Sequence, residues 1–295
     1  KVILGHNRLA IIDLNKRSNQ PFNYRHLHIT FNGQIYNYMA LRDNLKKVGY
    51  KFTTQSDTEV ICAAYLEYGK ECVNKFNGMF SFVIYDQKQN ILFGARDRFG
   101  QKPFYYTLIN DCFEFSSQLA SIVINNKFSI NENSVNQYLI WNYVHEPESI
   151  YSEIYKLEAG NMFTYSLDNK IFKTEKYWDL EYLNNKQVFN YESSLEQLES
   201  YIRDAVKIRL ISDVPLGVFL SGGIDSSLIA YMAQDITDSP INTFSIKFNE
   251  EEFDESIYAE KVSSIIKSNH HTILCNFSEG IELINNIHYY YDEPF

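Results

Sequence analysis

Residues 217–228 read GVFLSGGIDSSL, an apolar run that stops at Ser-Gly-Gly and restarts as a helix carrying Asp225, Ser226 and Ser227. That combination suits the binding of phosphate. Consecutive glycines let backbone N–H groups converge on an anion, and the N-terminus of the following helix adds about half a positive charge at the same point. The hydroxyls of Ser221, Ser226 and Ser227 can donate to phosphate oxygens. Asp225 would repel such a ligand unless a magnesium ion lay between them. The plainer reading is a tight strand-to-helix turn in which Asp225 favours the helix dipole. A Walker loop is excluded because no Gly-Lys-Ser/Thr follows the glycines, and the Rossmann glycine fingerprint is also missing.

Such a loop needs a strand before it and a helix after it, and the flanking sequence supplies both. From about residue 191 a helix-period segment, YESSLEQLESYIRDAVKIRLI, places Leu195, Leu198, Ile202 and Val206 on one face. Strand-like and helix-like stretches then alternate: PLGVFL, SSLIAYMAQD, NTFSIKF, SIYAEKVSSIIKS, HHTILC and a helix near IELINNIHYY. Alternation of this kind predicts an α/β domain with a parallel, doubly wound sheet, and in such sheets ligands bind beyond the carboxyl ends of the strands.

The first half reads differently. Short strand-like segments surround two amphipathic helices, YMALRDNLKKVG and DTEVICAAYLEYG. Gly49 and Gly69 are placed to end them, and Asp57 to cap the second. HLHITFNG alternates and then turns at Asn32-Gly33, while MFSFVIYD, ILFGARD and KPFYYT follow at hairpin spacing. These features predict an α+β domain over residues 1–185. Its connecting structure, from about 121, holds a helix at SVNQYLIWNYV and a strand pair at NMFTYSL and KIFKTEKYW. The second domain covers 186–295.

Composition bounds the function. The chain has 295 residues, 45% of them hydrophobic and 22% charged, which is enough to bury two cores. A net charge of −10 argues against a nucleic-acid surface, and no apolar run approaches the roughly 20 residues of a membrane span. Cys62, Cys72, Cys112 and Cys275 show neither metal-ligand spacing nor a disulfide pattern, so buried, reduced thiols in the cytoplasm are expected. His270 and His271 are strand neighbours facing opposite ways, a poor metal pair.

SGGIDSS resembles the pyrophosphate loop of the N-type ATP pyrophosphatases, and ISDVPLGVFLSGGIDSSLIA as a whole resembles the synthetase domain of glutamine-hydrolysing asparagine synthetases. The resemblance implies that Leu220, Ser221, Gly222, Gly223, Asp225, Ser226 and Ile246 bind ATP, with Leu220 and Ile246 beside the adenosine and Asp225 holding Mg. It also implies an N-terminal glutaminase domain with an Ntn-type sandwich fold. GHNRLAIID, FNGQIYNY and TTQSDTEV match the three glutamine-site segments of class II amidotransferases, and NGMFSFVIYD and ARDRFGQKPFYY follow in order. By that likeness Arg8 holds the glutamine carboxylate, Asp57 its amino group, and the Asn32 side chain with the Gly33 N–H forms the oxyanion hole. Gln34 stands beside them where the family usually has Glu. Glutamine, ATP and aspartate, or another carboxylate, are the implied substrates, and a homodimer is left open.

The family's nucleophile is an N-terminal cysteine whose own α-amino group acts as base. It lies several dozen residues before GHNRL, and the Ser-Gly-rich acidic motif that completes the ATP site follows DEPF. The expectation is therefore a fragment without either end. Asp292 and Glu293 resemble the Asp-Glu-Pro segment near the acyl-adenylate site. The implied activity is ATP-dependent asparagine synthesis through an aspartyl-adenylate. The alternatives are a relative that activates another carboxylate, such as a β-lactam or peptide-cyclising synthetase, and a non-catalytic nucleotide-binding remnant.

Overall fold

In the computed structural model the chain divides into two compact units, residues 1–181 with 287–295, and residues 182–286. The structure describes residues 1–124, 126–180, 190–250, 252–275, 280, 281, 284, 286, 287 and 291–294.

The first unit is built on two antiparallel sheets. Its strands are β1 (Phe22–Tyr24), β2 (Leu27–Ile35), β3 (Gly78–Asp86), β4 (Ile91–Arg96), β5 (Tyr105–Ile109), β6 (Cys112–Ser116), β7 (Ile154–Lys156), β8 (Asn161–Ser166) and β9 (Phe172–Lys176). The larger sheet has the order β1-β2-β3-β4-β8-β9 and the smaller the order β6-β5-β7. One face of the larger sheet carries Phe80, Phe82, Ile84 and Phe93, all buried. It meets α2 (Asp57–Tyr68), beside α1 (Tyr38–Lys47), where Tyr65 stacks on Phe93 at 5.2 Å. The opposite face contributes Val83, Leu92, Phe163 and Tyr165 to a core shared with Phe104 and Leu157, and Tyr106, Phe113 and Phe115 of the smaller sheet pack against it. The far side of that smaller sheet buries Tyr105 and Ile154 under Leu119 and Ile122 of α3 (Leu119–Val123). The two-residue alternation along β5, Tyr105 one way and Tyr106 the other, thus produces a helix–sheet–sheet–helix sandwich. A further helix, α4 (Glu132–Trp141), begins at an Asn131 cap.

Several local expectations give way to tertiary pairing. β2 runs straight through Asn32-Gly33, because its partner β3 continues the ladder from Leu27↔Asp86 to Ile35↔Gly78. The hairpin from β3 to β4 forms, but KPFYYT crosses to the other sheet. Asp97 redirects the chain there, its carboxylate accepting the backbone N–H groups of Phe80, Phe99, Gln101 and Lys102. The opening KVILGHNRLAIIDL holds no strand; it leads into a short 3-10 turn at Lys16–Ser18. Ser56, not Asp57, caps α2, its hydroxyl accepting from the Thr58 N–H.

The second unit contains α5 (Tyr191–Arg209), β10 (Gly217–Phe219), α6 (Ile224–Ile236), β11 (Asn242–Phe248), α7 (Ser256–Ile266) and β12 (Asn269–Cys275). Its three strands are parallel and ordered β10-β11-β12. The crossover helices α6 and α7 share one face of this sheet, where Leu220, Ala230 and Ala259 form a buried cluster. Strand order advances in one direction, so the described residues are singly rather than doubly wound. The helix read near IELINNIHYY and the boundary segment at 181–189 fall largely outside the described residues. Residues 287–295 group with the first unit. There Asp292 accepts from the Ala120 N–H at 3.2 Å, Glu293 accepts from the Ile150 N–H at 2.9 Å, and Glu293 pairs with Lys156 at 2.5 Å.

Candidate active sites

The first site is organised by the outer edge of β2. In an antiparallel ladder, alternate residues turn both backbone polar groups away from the neighbouring strand. Phe31, Gly33 and Ile35, opposite Phe82, Phe80 and Gly78, are of this kind. The Phe31 N–H donates to Gln20 Oε1 at 2.6 Å, and His6 Nε2 donates to the Phe31 carbonyl at 3.0 Å. Four residues on, the Ile35 N–H donates to Asp57 Oδ2 at 3.0 Å. Gly33 stands between these two anchored amides on the same edge. Its φ of +147° suits glycine, and a Cβ there would lie 2.1 Å from the Met79 carbonyl oxygen, so no other residue fits. Asn32 has the opposite parity. With Thr30 and Ser81 it lines a cavity of about 1250 Å³ that also touches residues 1–7 and Phe104. Gln34 follows, half-buried and opposite Met79.

Asp57 opens α2 with its side chain buried. Burial pushes its carboxyl up to about 6, against the stabilising hydrogen bonds from Ile35, Thr58, its own N–H and Ser56. The loop before it is pinned from both sides. Glu59 accepts from the N–H and hydroxyl groups of Thr53 and Thr54, while Arg42 donates to Gln55 Oε1 and the Ser56 carbonyl. Arg8 donates to the carbonyls of Ile12 and Asp13, both at 2.7 Å, and at longer range to Asn15 and Asn19.

No described hydrogen bond joins Arg8, Asn32 and Asp57 directly. The segments bearing them are keyed together by residues outside the expected set. Asp13 Oδ2 accepts from the Gln55 N–H at 2.7 Å, and Gln20 spans Phe31 and Thr58. Asp13 closes the GHNRLAIID motif itself, a signal available in the sequence; Gln20 has no such marker. Of the four cysteines expected to be buried, Cys112 and Cys275 are exposed; burial raises the Cys62 and Cys72 thiols far above the ordinary range, which makes both poor nucleophiles.

The second site is the loop between β10 and α6. Gly222 has φ +82°, and a Cβ on it would sit 2.4 Å from Tyr258 Cβ, so the loop presses directly on α7. Gly223 caps α6 and Asp225 lies, exposed, in its first turn. Ser221 and Ser226 hold the loop closed through their hydroxyls at 2.9 Å, and Ser226 also donates to the Gly223 carbonyl. The Ser227 hydroxyl is buried with no partner among the described residues. A glycine that admits no Cβ, a helix N-terminus and an orphaned buried hydroxyl together fit a phosphate-bearing nucleotide. Leu220 is fully buried against Ala230 and Ala259, which leaves only its backbone for a ligand, whereas Ile246 is exposed. His270 is half-buried, its ring nitrogens hydrogen-bonded to the hydroxyls of Thr243 and Ser245. Among the described residues no group of three or more His, Cys, Asp or Glu side chains is arranged for a metal.

Comparison with known proteins bears on both units. Residues 1–178 match the family described as glutamine amidotransferase domain, and residues 197–295 match asparagine synthase. "Putative asparagine synthetase [glutamine-hydrolyzing] 2" of Methanocaldococcus jannaschii is 38% identical over 99% of this chain and 60% of its own length. "Asparagine synthetase [glutamine-hydrolyzing] 1" of Bacillus subtilis is 38% identical over 98% of this chain and 46% of its own. "Amidase chyE" of Penicillium rubens is 30% identical over 94% of this chain and 44% of its own. The chain thus spans about half the length of these curated relatives. It belongs to the glutamine amidotransferase family, in the form in which that domain is followed by an asparagine synthase domain.

Proposed function

We propose that this chain forms part of an ATP-dependent amidotransferase that makes asparagine from aspartate and glutamine. The observation that carries the reading is the β2 edge, where Gly33 is held between an amide fixed by Gln20 and one fixed by Asp57. In this reading the Gly33 N–H and the Asn32 amide receive the oxyanion of a tetrahedral intermediate, the step at which fixed donors stabilise most. Asp57 takes the ammonium of glutamine, and Arg8 its carboxylate, with Nη1 exchanging its long contacts to Asn15 and Asn19 for the ligand. In the second unit the amides of Gly222 and Gly223 and the Ser227 hydroxyl cradle the ATP phosphates. There the aspartate side-chain carboxylate is adenylated, and ammonia then displaces AMP. Asp225 would hold magnesium, which supplies neutralisation of the charge developing on pyrophosphate.

Free cysteines and an acidic composition support a cytoplasmic setting. No described helix is long and apolar enough to cross a membrane. The 30% identical relative named an amidase supports a second reading, in which the acceptor is a different carboxylate. The complete protein, given ATP, magnesium and glutamine, should release pyrophosphate when aspartate is added and yield asparagine. Pyrophosphate release with other carboxylates but not with aspartate would transfer support to the second reading.

A further inference from the structure

Gln20 lies between the motifs, just before β1, and its side chain does what a neighbouring strand would otherwise do. β1 pairs with β2 only from Phe22↔Ile29 to Tyr24↔Leu27. Beyond Ile29 the outer edge of β2 has no strand beside it among the described residues. At the next outward-facing position, Gln20 Oε1 accepts the Phe31 N–H at 2.6 Å. The same planar amide turns its Nε2 toward Thr58 Oγ1, 3.5 Å away on the helix that begins with Asp57. One side chain therefore touches the residue before Asn32 and the residue after Asp57.

We propose that Gln20 is a positioning residue of the glutaminase site. It sets the distance between the Asn32–Gly33 oxyanion donors and the Asp57 carboxylate that anchors the substrate's ammonium. The inference rests on the reading of the first unit as a glutaminase. Oxyanion donors act only when they meet the developing charge at hydrogen-bond distance, and a misplacement near 1 Å costs on the order of 100-fold in rate. An amide is suited to the task because it accepts at one end and donates at the other in a fixed plane. A strand in its place would satisfy Phe31 but would not reach Thr58.

The test uses the complete protein at pH 8, with glutamine-dependent ammonia release and ammonium-dependent synthesis measured in parallel. Gln20→Leu, which removes both hydrogen bonds at similar bulk, should lower glutaminase kcat about 10- to 100-fold. The KM for glutamine should move by less than about threefold, and ammonium-dependent synthesis should not change. Gln20→Glu should recover most of the rate, because a carboxylate oxygen still accepts from Phe31 and the Thr58 hydroxyl can turn round to donate. If Gln20→Leu does not fold, Thr58→Val isolates the weaker tie and should lower kcat by about threefold or more, in line with a typical net hydrogen bond. A Gln20→Leu enzyme within twofold of the parent overturns the inference. So does an equal loss in the Leu and Glu variants, a change confined to KM, or an unaltered Thr58→Val enzyme. A parent protein with no glutaminase activity overturns the functional reading and this inference together, and an active parent separates the two failures.

Discussion

At the scale of single residues, Asp57 sets folding against binding. Its carboxyl stands at about 6 in the folded chain against an ordinary 3.8. Below about pH 4 both folded and unfolded forms are protonated and nothing is lost. Between 4 and 6 the unfolded chain ionises first, so stability falls as pH rises. Above 6 the loss is complete, about 3 kcal/mol for a shift of about two units. Asp57→Asn keeps an oxygen to accept from Ile35 while removing the charge. It should raise the melting temperature by several degrees at pH 7.5 and by little at pH 4, while glutamine binding is lost. In the unsubstituted protein the KM for glutamine should climb as pH falls below 6, because protonation removes the ammonium's partner. A melting temperature unchanged by the substitution at pH 7.5 would remove the case for a strained carboxylate.

At the scale of elements, the loop between β10 and α6 lies hard against α7. Gly222→Ala combines a left-handed φ with a Cβ 2.4 Å from Tyr258, and either alone typically costs about 1–3 kcal/mol. The variant should unfold at lower denaturant in its second unit while glutaminase activity in the first persists. Tyr258→Ala keeps the Cβ and the backbone atoms that the new methyl would meet, and should therefore recover none of the loss. Elements held by local signals are the legible ones. DTEVICAAYLEYG gives α2 with its N-cap read one residue late, at Asp57 rather than Ser56, and the alternating segments after 216 give the parallel strands. What escapes the sequence is long-range. Asn-Gly is a strong hairpin signal, yet nine ladder positions with β3 outweigh it. KPFYYT leaves its hairpin for the other sheet because Asp97, which shows no pattern, gathers four backbone N–H groups. Asn32, Gly33, Asp57 and the glycine loop are visible as motifs. Asp13 and Glu59 lie inside the quoted segments while Gln20 lies outside them, and the bonds all three make, across 5–42 positions, leave no periodicity from which their roles could be read.

At the scale of the whole molecule, the two compact units imply two chemistries that can be removed one at a time. On the proposed reading, Asn32→Ala in the complete protein removes an oxyanion donor and should lower glutaminase rate about 10²–10³-fold, with ammonium-dependent synthesis nearly intact. Asp225→Asn should do the reverse, abolishing synthesis from either nitrogen source while glutamine is still hydrolysed. If Asp225 served only the helix dipole, the second variant would lose about 0.3–1 kcal/mol and remain active. Rates with both nitrogen sources, measured on the same two variants, decide the matter. A parallel fall of both activities in either variant would break the two-site assignment.

Where molecules meet one another, the outer edge of β2 has a further consequence. An unpartnered strand edge invites another chain to add a strand, the first step towards aggregation. β2 cannot cover its edge with a strand if Gly33 is to face a substrate. The structure answers position by position: Phe31 is closed off by Gln20 and His6, Ile35 by Asp57. A foreign strand needs a run of successive outward-facing groups, and here the available one is flanked by two already bound. A small molecule needs only that one. On the proposed reading the edge has room for an amino acid and none for a polypeptide, so substrate access and resistance to self-association would come from the same side-chain caps.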